Sequence, residues 1–142
     1  MAAKDDGFSA GEKRAMRERA KELKAAQKKE ELEQNLLDKI AEMPEAEGRI
    51  ATRIHDIVRR VAPHLVAKTW YGMPAWSTPE GKVVVFFKPA GKFESRYSTL
   101  GFEDAARLDE GAMWPTSYAL TELTAQDATL VEALVAKAAG SG

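Results

Sequence analysis

The stretch that decides the fold is Lys68-Thr69-Trp70-Tyr71-Gly72-Met73-Pro74-Ala75-Trp76. β-branched and aromatic residues, which favour extended strands, become dense here and are followed by turn dipeptides. We predict a strand over Lys68–Tyr71 that continues irregularly to Ser77, because Gly72 permits a sharp turn and Pro74 fixes the backbone where the chain leaves it. A sheet therefore begins at this point of the chain.

Further strands follow along the chain. Some are joined by tight turns, and the last is reached through a longer loop. The connections Thr78-Pro79-Glu80-Gly81 and Pro89-Ala90-Gly91-Lys92 have the composition of tight turns, which predicts an antiparallel meander. The predicted strands are Lys82–Lys88, Phe93–Leu100 and Trp114–Leu120, with at most a short helix around Glu103–Arg107. Because Val83–Phe87 is apolar throughout, we expect that strand to be central and covered on each face.

Helical patterns flank the strands. Glu12–Met43 contains no glycine or proline and is rich in strong helix formers, and Ser9 is a candidate cap. A second apolar stripe runs from Ile50 to Val61 between two prolines, and Thr124-Ala125-Gln126-Asp127 resembles the capping box of a last helix. The predicted order is α-α-β-β-β-(α)-β-α, an α+β fold with an antiparallel sheet of about four to five strands packed by helices.

Length and composition limit the classes of function. The chain has 142 residues, which suits one core, and no cysteine, which excludes thiol nucleophiles, disulfides and iron–sulfur ligation through cysteine. We expect a polar tail over 1–11, a charged helical extension over 12–31 and a single domain over 32–139. No apolar run is long enough for a membrane span, and the charged N-terminus favours a cytoplasmic protein without membrane contact.

The order and spacing of four segments resemble the YdhG-like domain-of-unknown-function family. They are Lys68–Trp76, Lys82–Phe87, Arg96–Phe102 and Gly111–Thr116, within a region of resemblance from Leu32 to Ala139. The resemblance implies a curved antiparallel sheet with helices packed against it. Since some relatives are described as frataxin-like iron chaperones, it also implies an iron-binding accessory protein as an alternative, although the strongly acidic ridge that such a role needs is missing here.

Aromatic and thioether side chains gather around the Gly72–Pro74 bend and predict a ligand site. A concave apolar site with a few polar groups would suit a small organic anion, or a partner protein, without catalysis and without a cofactor or metal. The competing interpretation, that these rings form the core, is favoured by how often aromatic residues are buried. The candidate ligand-binding residues are Lys68, Trp70, Tyr71, Met73, Pro74, Trp76, Phe87, Arg96, Tyr97 and Trp114.

The sequence gives little support for metal binding, nucleotide binding or catalysis. His55 and His64 are nine residues apart, which does not suit a shared metal on one helix, and we expect His55 at the edge of its helix. Nucleophile-elbow, Walker and dinucleotide motifs are missing from the sequence, and the acidic loop residues Asp104, Asp109 and Glu110 are more typical of solubility than of acid–base catalysis. We therefore predict a non-enzymatic protein.

The first helix carries an excess of positive charge. Eight basic and three acidic residues lie between Glu12 and Lys29, a balance of +5 in a chain whose net charge is −1. Such a helix can contact nucleic acid weakly, but acidic residues interrupt it and no aromatic residues are interleaved for base stacking, so a solvated helix is the favoured interpretation. The sequence does not predict the oligomeric state.

Overall fold

The structure, a computed structural model, describes residues 9–141, and the chain divides into two compact units between Glu31 and Leu32. Helix α1 spans Ala10–Ala41 and crosses this division. Ser9 caps it: the Ser9 Oγ accepts from the Glu12 backbone N–H, and the Glu12 carboxylate accepts from the Ser9 backbone N–H. The predicted helix is therefore present, but it starts two residues earlier. Residues 1–8 of the predicted polar tail lie outside the described part of the chain.

Within 10–31, the charged half of α1 is almost entirely exposed to solvent. The second half contributes Leu36 and Ile40 to the core, as its apolar spacing predicts. Helix α2, Glu45–Val61, follows Pro44 and buries one face, including Ile50, Ile54 and Val58. None of the described helices is long and apolar enough to cross a membrane.

Five strands form one antiparallel sheet in the order of the chain. They are β1 Val66–Trp70, β2 Met73–Ser77, β3 Val83–Lys88, β4 Ser98–Phe102 and β5 Ser117–Leu120. Helix α3, Ala125–Ala139, completes the α+β fold, and Thr124 and Asp127 form the capping box that the sequence predicts. The fold class is thus confirmed, with β3 at the centre of the sheet.

Four local predictions of element bounds are wrong. The last strand, predicted over Trp114–Leu120, begins only at Ser117. The irregular strand over 68–77 is a hairpin, because Tyr71 and Gly72 both have positive φ, at 51° and 75°, and form a two-residue turn between β1 and β2. Residues 93–97 form turns and a bend, so β4 begins five residues later than predicted. The segment Glu103–Arg107 is not helical.

The three helices and one face of the sheet share the hydrophobic core. Alternate strand residues belong to it, among them Ala67, Trp76, Val85 and Phe87, together with residues of all three helices. The register shift between Trp76 and Ser77 places an extra residue in β3, and Val84 joins Val85 in the core. Phe86, by contrast, is only partly buried and lies outside this core, so β3 is covered on one face and not on both.

Candidate functional site

The predicted ligand-binding residues separate onto different parts of the fold. Trp76 is 1% exposed and Phe87 is fully buried, and both belong to the core; Pro74 is equally enclosed. For Trp76 and Phe87 the core interpretation is correct, and the structure does not bring these two rings together with Trp70 and Tyr71. Strand register is the reason, because Trp76 pairs with Ala67 and projects to the same face as Val85.

The other predicted ligand-binding residues that belong to strands lie on the opposite face of the sheet. Lys68 pairs with Ala75, and Ala75 pairs with Phe86, so these three side chains share one face. Trp70 lies two residues after Lys68 and Met73 two residues before Ala75, so both project to the same face. Trp70 and Lys68 are partly exposed, whereas Met73 is 8% exposed beside its cross-strand partner Trp70. Ala75, which lies between Lys68 and Phe86, is fully buried. Trp70, Ala75 and Phe86 nevertheless lie outside the hydrophobic core that the helices share, and we call this side of the sheet the open face.

The exposed residues of β5 show that the open face extends across the whole sheet. Gly101 pairs with both Phe86 and Ser117, which places Ser117 on the open face, and Thr99 pairs with Ala119. Ser117 and Ala119 are exposed, whereas Tyr118 and Leu120 pack against the core. The open face therefore runs from β1 to β5, a width of roughly 19 Å for five strands.

Phe86 is the ring that the sequence analysis missed. Its centroid lies 5.4 Å from that of Trp70, with an angle of 56° between the rings. Phe86 also lies over Gly101, where an added Cβ would collide with its ring. The adjacent Phe87 was predicted instead, and only the strand register, which pairs Phe86 with Ala75, could have distinguished the two residues.

The charged side chains of the open face are both lysines. The strand sequences contain Lys68 and Lys88 and no Asp, Glu, Arg or His. Lys88 lies two residues beyond Phe86 and so projects to the same face. Their ammonium groups contact uncharged partners: Lys68 Nζ donates to the Gly81 carbonyl at 3.2 Å, and Lys88 Nζ lies 5.2 Å from the centroid of Phe93.

The β1–β2 turn and the β3–β4 loop border one end of the open face. Tyr71 is 80% exposed and its ring meets that of Trp70 edge-on at 5.1 Å. Lys92 Nζ donates to the Gly72 carbonyl at 3.2 Å, and it also lies 5.9 Å from the centroid of Phe93. This border therefore adds two partly or largely exposed rings and a third lysine to the open face.

The other predicted residues lie away from this surface. Arg96 stacks on Tyr97, 5.2 Å from its centroid, and both are exposed in the β3–β4 loop. Trp114 packs against the core in the loop before β5, where it lines a cavity of about 340 Å³ with Asp104 and Asp109. Because β5 is the opposite edge of the sheet from β1, Trp114 cannot share a small-molecule site with Trp70.

A buried polar chain was also missed. His55 is 3% exposed and lies in the core rather than at the edge of its helix, which corrects that prediction. The Trp76 indole N–H donates to His55 Nδ1 at 3.1 Å, so the proton of a neutral imidazole is on Nε2, which donates to Glu33 at 2.8 Å. Arg59 pairs with the same carboxylate at 3.1 Å. The chain satisfies buried polar atoms and joins α1, α2 and β2.

The described residues offer no ready metal centre. In residues 9–141, no group of three or more His, Asp or Glu side chains lies close enough to hold an ion. Two of the described carboxylates have a lowered pKa, and both are exposed: Glu12, through its hydrogen bonds with Ser9, and Glu110, through its hydrogen bond and ion pair with Lys137. The described residues therefore contain no set of iron ligands of the kind that the family resemblance implies.

Comparison with known proteins adds no relative. No family model matches the chain, and no curated protein or solved structure is significantly similar to it.

Proposed function

We propose that this protein is a non-catalytic binding module and that its binding surface is the open face, centred on Lys68, Trp70, Phe86 and Lys88. The observation that supports the proposal is the segregation of side chains by face. Rings and ammonium groups occupy the face whose residues Trp70 and Phe86 lie outside the core that the helices share, and the five strands contain no carboxylate. Ligands with an aromatic or other planar group and a negative charge complement such a surface.

The same surface argues against catalysis. General acid–base chemistry most often uses imidazole or carboxylate groups within hydrogen-bond reach of the substrate. The strands provide neither type of side chain, and His55 is enclosed in the core by Trp76 and Glu33. Binding without chemical conversion is the role that these residues support.

Amide NMR during titration with small ligands tests the proposal. We expect aromatic anions, such as nucleoside monophosphates and indole carboxylates, to perturb amides of β1, β3 and β4 more than aliphatic anions of equal charge do, because only the former can stack on Trp70 and Phe86. The double variant Lys68→Gln/Lys88→Gln should weaken these shifts. Substitution of Trp114 by Phe, on the opposite edge, serves as the control.

Two results would contradict the proposed function. One is the absence of any response from the open face across aromatic anions and peptides at millimolar concentration. The other is a response confined to the cavity beside Trp114, Asp104 and Asp109, which would assign binding to the β4–β5 loop instead.

A further inference from the structure

The arrangement of charges and rings on the open face narrows the class of ligand. Lys68 and Phe86 lie on either side of Ala75, whereas Trp70 and Lys88 lie one step further along their strands. The rings therefore occupy one diagonal of a four-residue array and the ammonium groups occupy the other. A ligand that covers this array must present planar groups and negative charges in alternation.

The open face is also long. Beyond Phe86 its residues are small and uncharged, namely Gly101, Thr99, Ser117 and Ala119, and they continue to the edge strand β5. Sites for small molecules are usually concave and bury most of the ligand. Two cavities of this unit lie elsewhere, between β5 and α3 and around the loop that precedes Trp114. A third, of about 320 Å³, adjoins the border of the open face at Gly72 and Lys92 and is otherwise lined by helix and loop residues, not by the strand residues of the face. An extended ligand that crosses several strands fits this surface better than a compact one.

From these features we infer that the ligand of the open face is single-stranded nucleic acid, with bases stacked on Trp70 and Phe86 and phosphates near Lys68 and Lys88. Unpaired bases stack on aromatic side chains, and positively charged surfaces follow the phosphate backbone. Duplexes do not fit the geometry, because their bases are already stacked and paired. This inference depends on the proposed function and specifies its ligand.

The border of the open face supports a polymer rather than a free nucleotide. Tyr71, Phe93 and Lys92 extend the same alternation of rings and ammonium groups past the end of the strands. Since affinity for a polyanion grows with the number of phosphates contacted, an oligonucleotide gains contacts that a mononucleotide cannot make.

Fluorescence anisotropy with the full-length protein and labelled 12-nucleotide dT and rU oligomers provides the test. Three sets of substitutions distinguish the contributions: Trp70→Leu against Trp70→Phe, Lys68→Gln/Lys88→Gln, and Arg14, Arg17, Lys21 and Lys24 to Gln on α1. Circular dichroism melting of each variant confirms that it is folded. The Lys68→Gln/Lys88→Gln variant changes only surface side chains and keeps the test valid if Trp70→Leu does not fold.

The affinity of the Trp70 variants reports base stacking, and the salt dependence of binding reports the phosphate contacts. We expect Trp70→Leu to lower the affinity by roughly 10-fold or more, with Trp70→Phe much closer to wild type, because base stacking requires a ring. Removing two phosphate contacts should reduce the slope of log K against log salt by about 1.4. Substitution of the α1 residues is the control for non-specific charge and should leave the ratio between the two Trp70 variants unchanged.

The remaining outcomes overturn the inference in different ways. Equal affinity for dTMP and the 12-mer would reject a polymer ligand while leaving the proposed function intact. A preference for duplex over single strand, or binding lost only in the α1 variant, would assign the contact to charge alone. No binding of oligonucleotide, with aromatic anions still binding at the open face, would reject nucleic acid, and no binding of either would reject both proposals.

Discussion

Trp70 and Trp76 belong to one short stretch of sequence, yet they have opposite environments. Trp76 is enclosed by the helices and donates a hydrogen bond to His55, whereas Trp70 lies on the open face beside Phe86. The two-residue turn at Tyr71 and Gly72 sets the register that separates them, since Trp70 pairs with Met73 and Trp76 with Ala67. A cluster of aromatic residues in sequence is therefore not a cluster in space, and each ring has to be assigned to a face first.

The largest expected effect compares these two tryptophans. Trp76→Ala should lower the free energy of unfolding by about 3 to 5 kcal/mol, because it leaves a cavity in the core. Trp70→Ala should cost about 1 to 2 kcal/mol, since a partly exposed ring loses less burial. Urea denaturation measures both values. Equal losses in the two variants would contradict the distinction between the faces.

His55→Leu should have an intermediate effect. It leaves the buried indole N–H of Trp76 without an acceptor, which costs about 1 to 3 kcal/mol. Arg60→Gln is the matched control on the same helix, because it breaks only the exposed pair with Glu132, worth about 0 to 1 kcal/mol. If thermal melting finds His55→Leu no less stable than Arg60→Gln, the buried polar chain does not contribute as described.

Tyr71→Asn should stabilise the protein and weaken binding at once. Asparagine tolerates the positive φ of the turn, so relief of backbone strain should raise the free energy of unfolding by about 1 kcal/mol. Loss of the exposed ring should lower the affinity of the open face for its ligand. Glu94→Asp, at a φ of 53°, is the control: it keeps the negative charge of this loop and tolerates positive φ, so it should stabilise the protein without changing affinity. Unchanged ligand affinity in Tyr71→Asn would exclude Tyr71 from the binding surface.

The smallest expected effect lies outside both faces. The hydrogen bond from Lys137 lowers the pKa of Glu110 below its usual value of 4.5, so the stability that the ionised carboxylate contributes is complete at neutral pH and is lost as the pH falls below 4.5. Glu110→Gln should therefore flatten the acid side of the melting temperature profile slightly. An identical profile for the wild type and the variant would show that this pair contributes nothing.

Local signals predicted much of the fold but less of the site. Apolar spacing and caps identified the three helices, and Ser9, Thr124 and Asp127 act as their sequence context indicates. The helix expected around Glu103–Arg107 does not form, and the strand expected from Phe93 begins at Ser98 after turns that include the positive φ of Glu94. These residues are placed by contacts across the sheet, which periodicity along the chain does not contain.

Face assignment explains why the site was only partly predicted. Lys68, Trp70 and Tyr71 were identified from residue type, whereas Phe86, Lys88 and Phe93 were missed. Val83–Phe87 is apolar throughout, so alternation could not show which of its phenylalanines points to solvent. That choice follows from pairing with β2, including the bulge at Trp76, which is a property of the folded sheet.

The indole N–H resonances of the three tryptophans provide the most direct test of the open face as a binding surface. During titration of ¹⁵N-labelled protein with a single-stranded 12-mer, we expect the Trp70 indole signal to shift progressively while the Trp76 signal, hydrogen-bonded to His55 in the core, stays in place. A shift of Trp76 or Trp114 with no change at Trp70 would contradict the account.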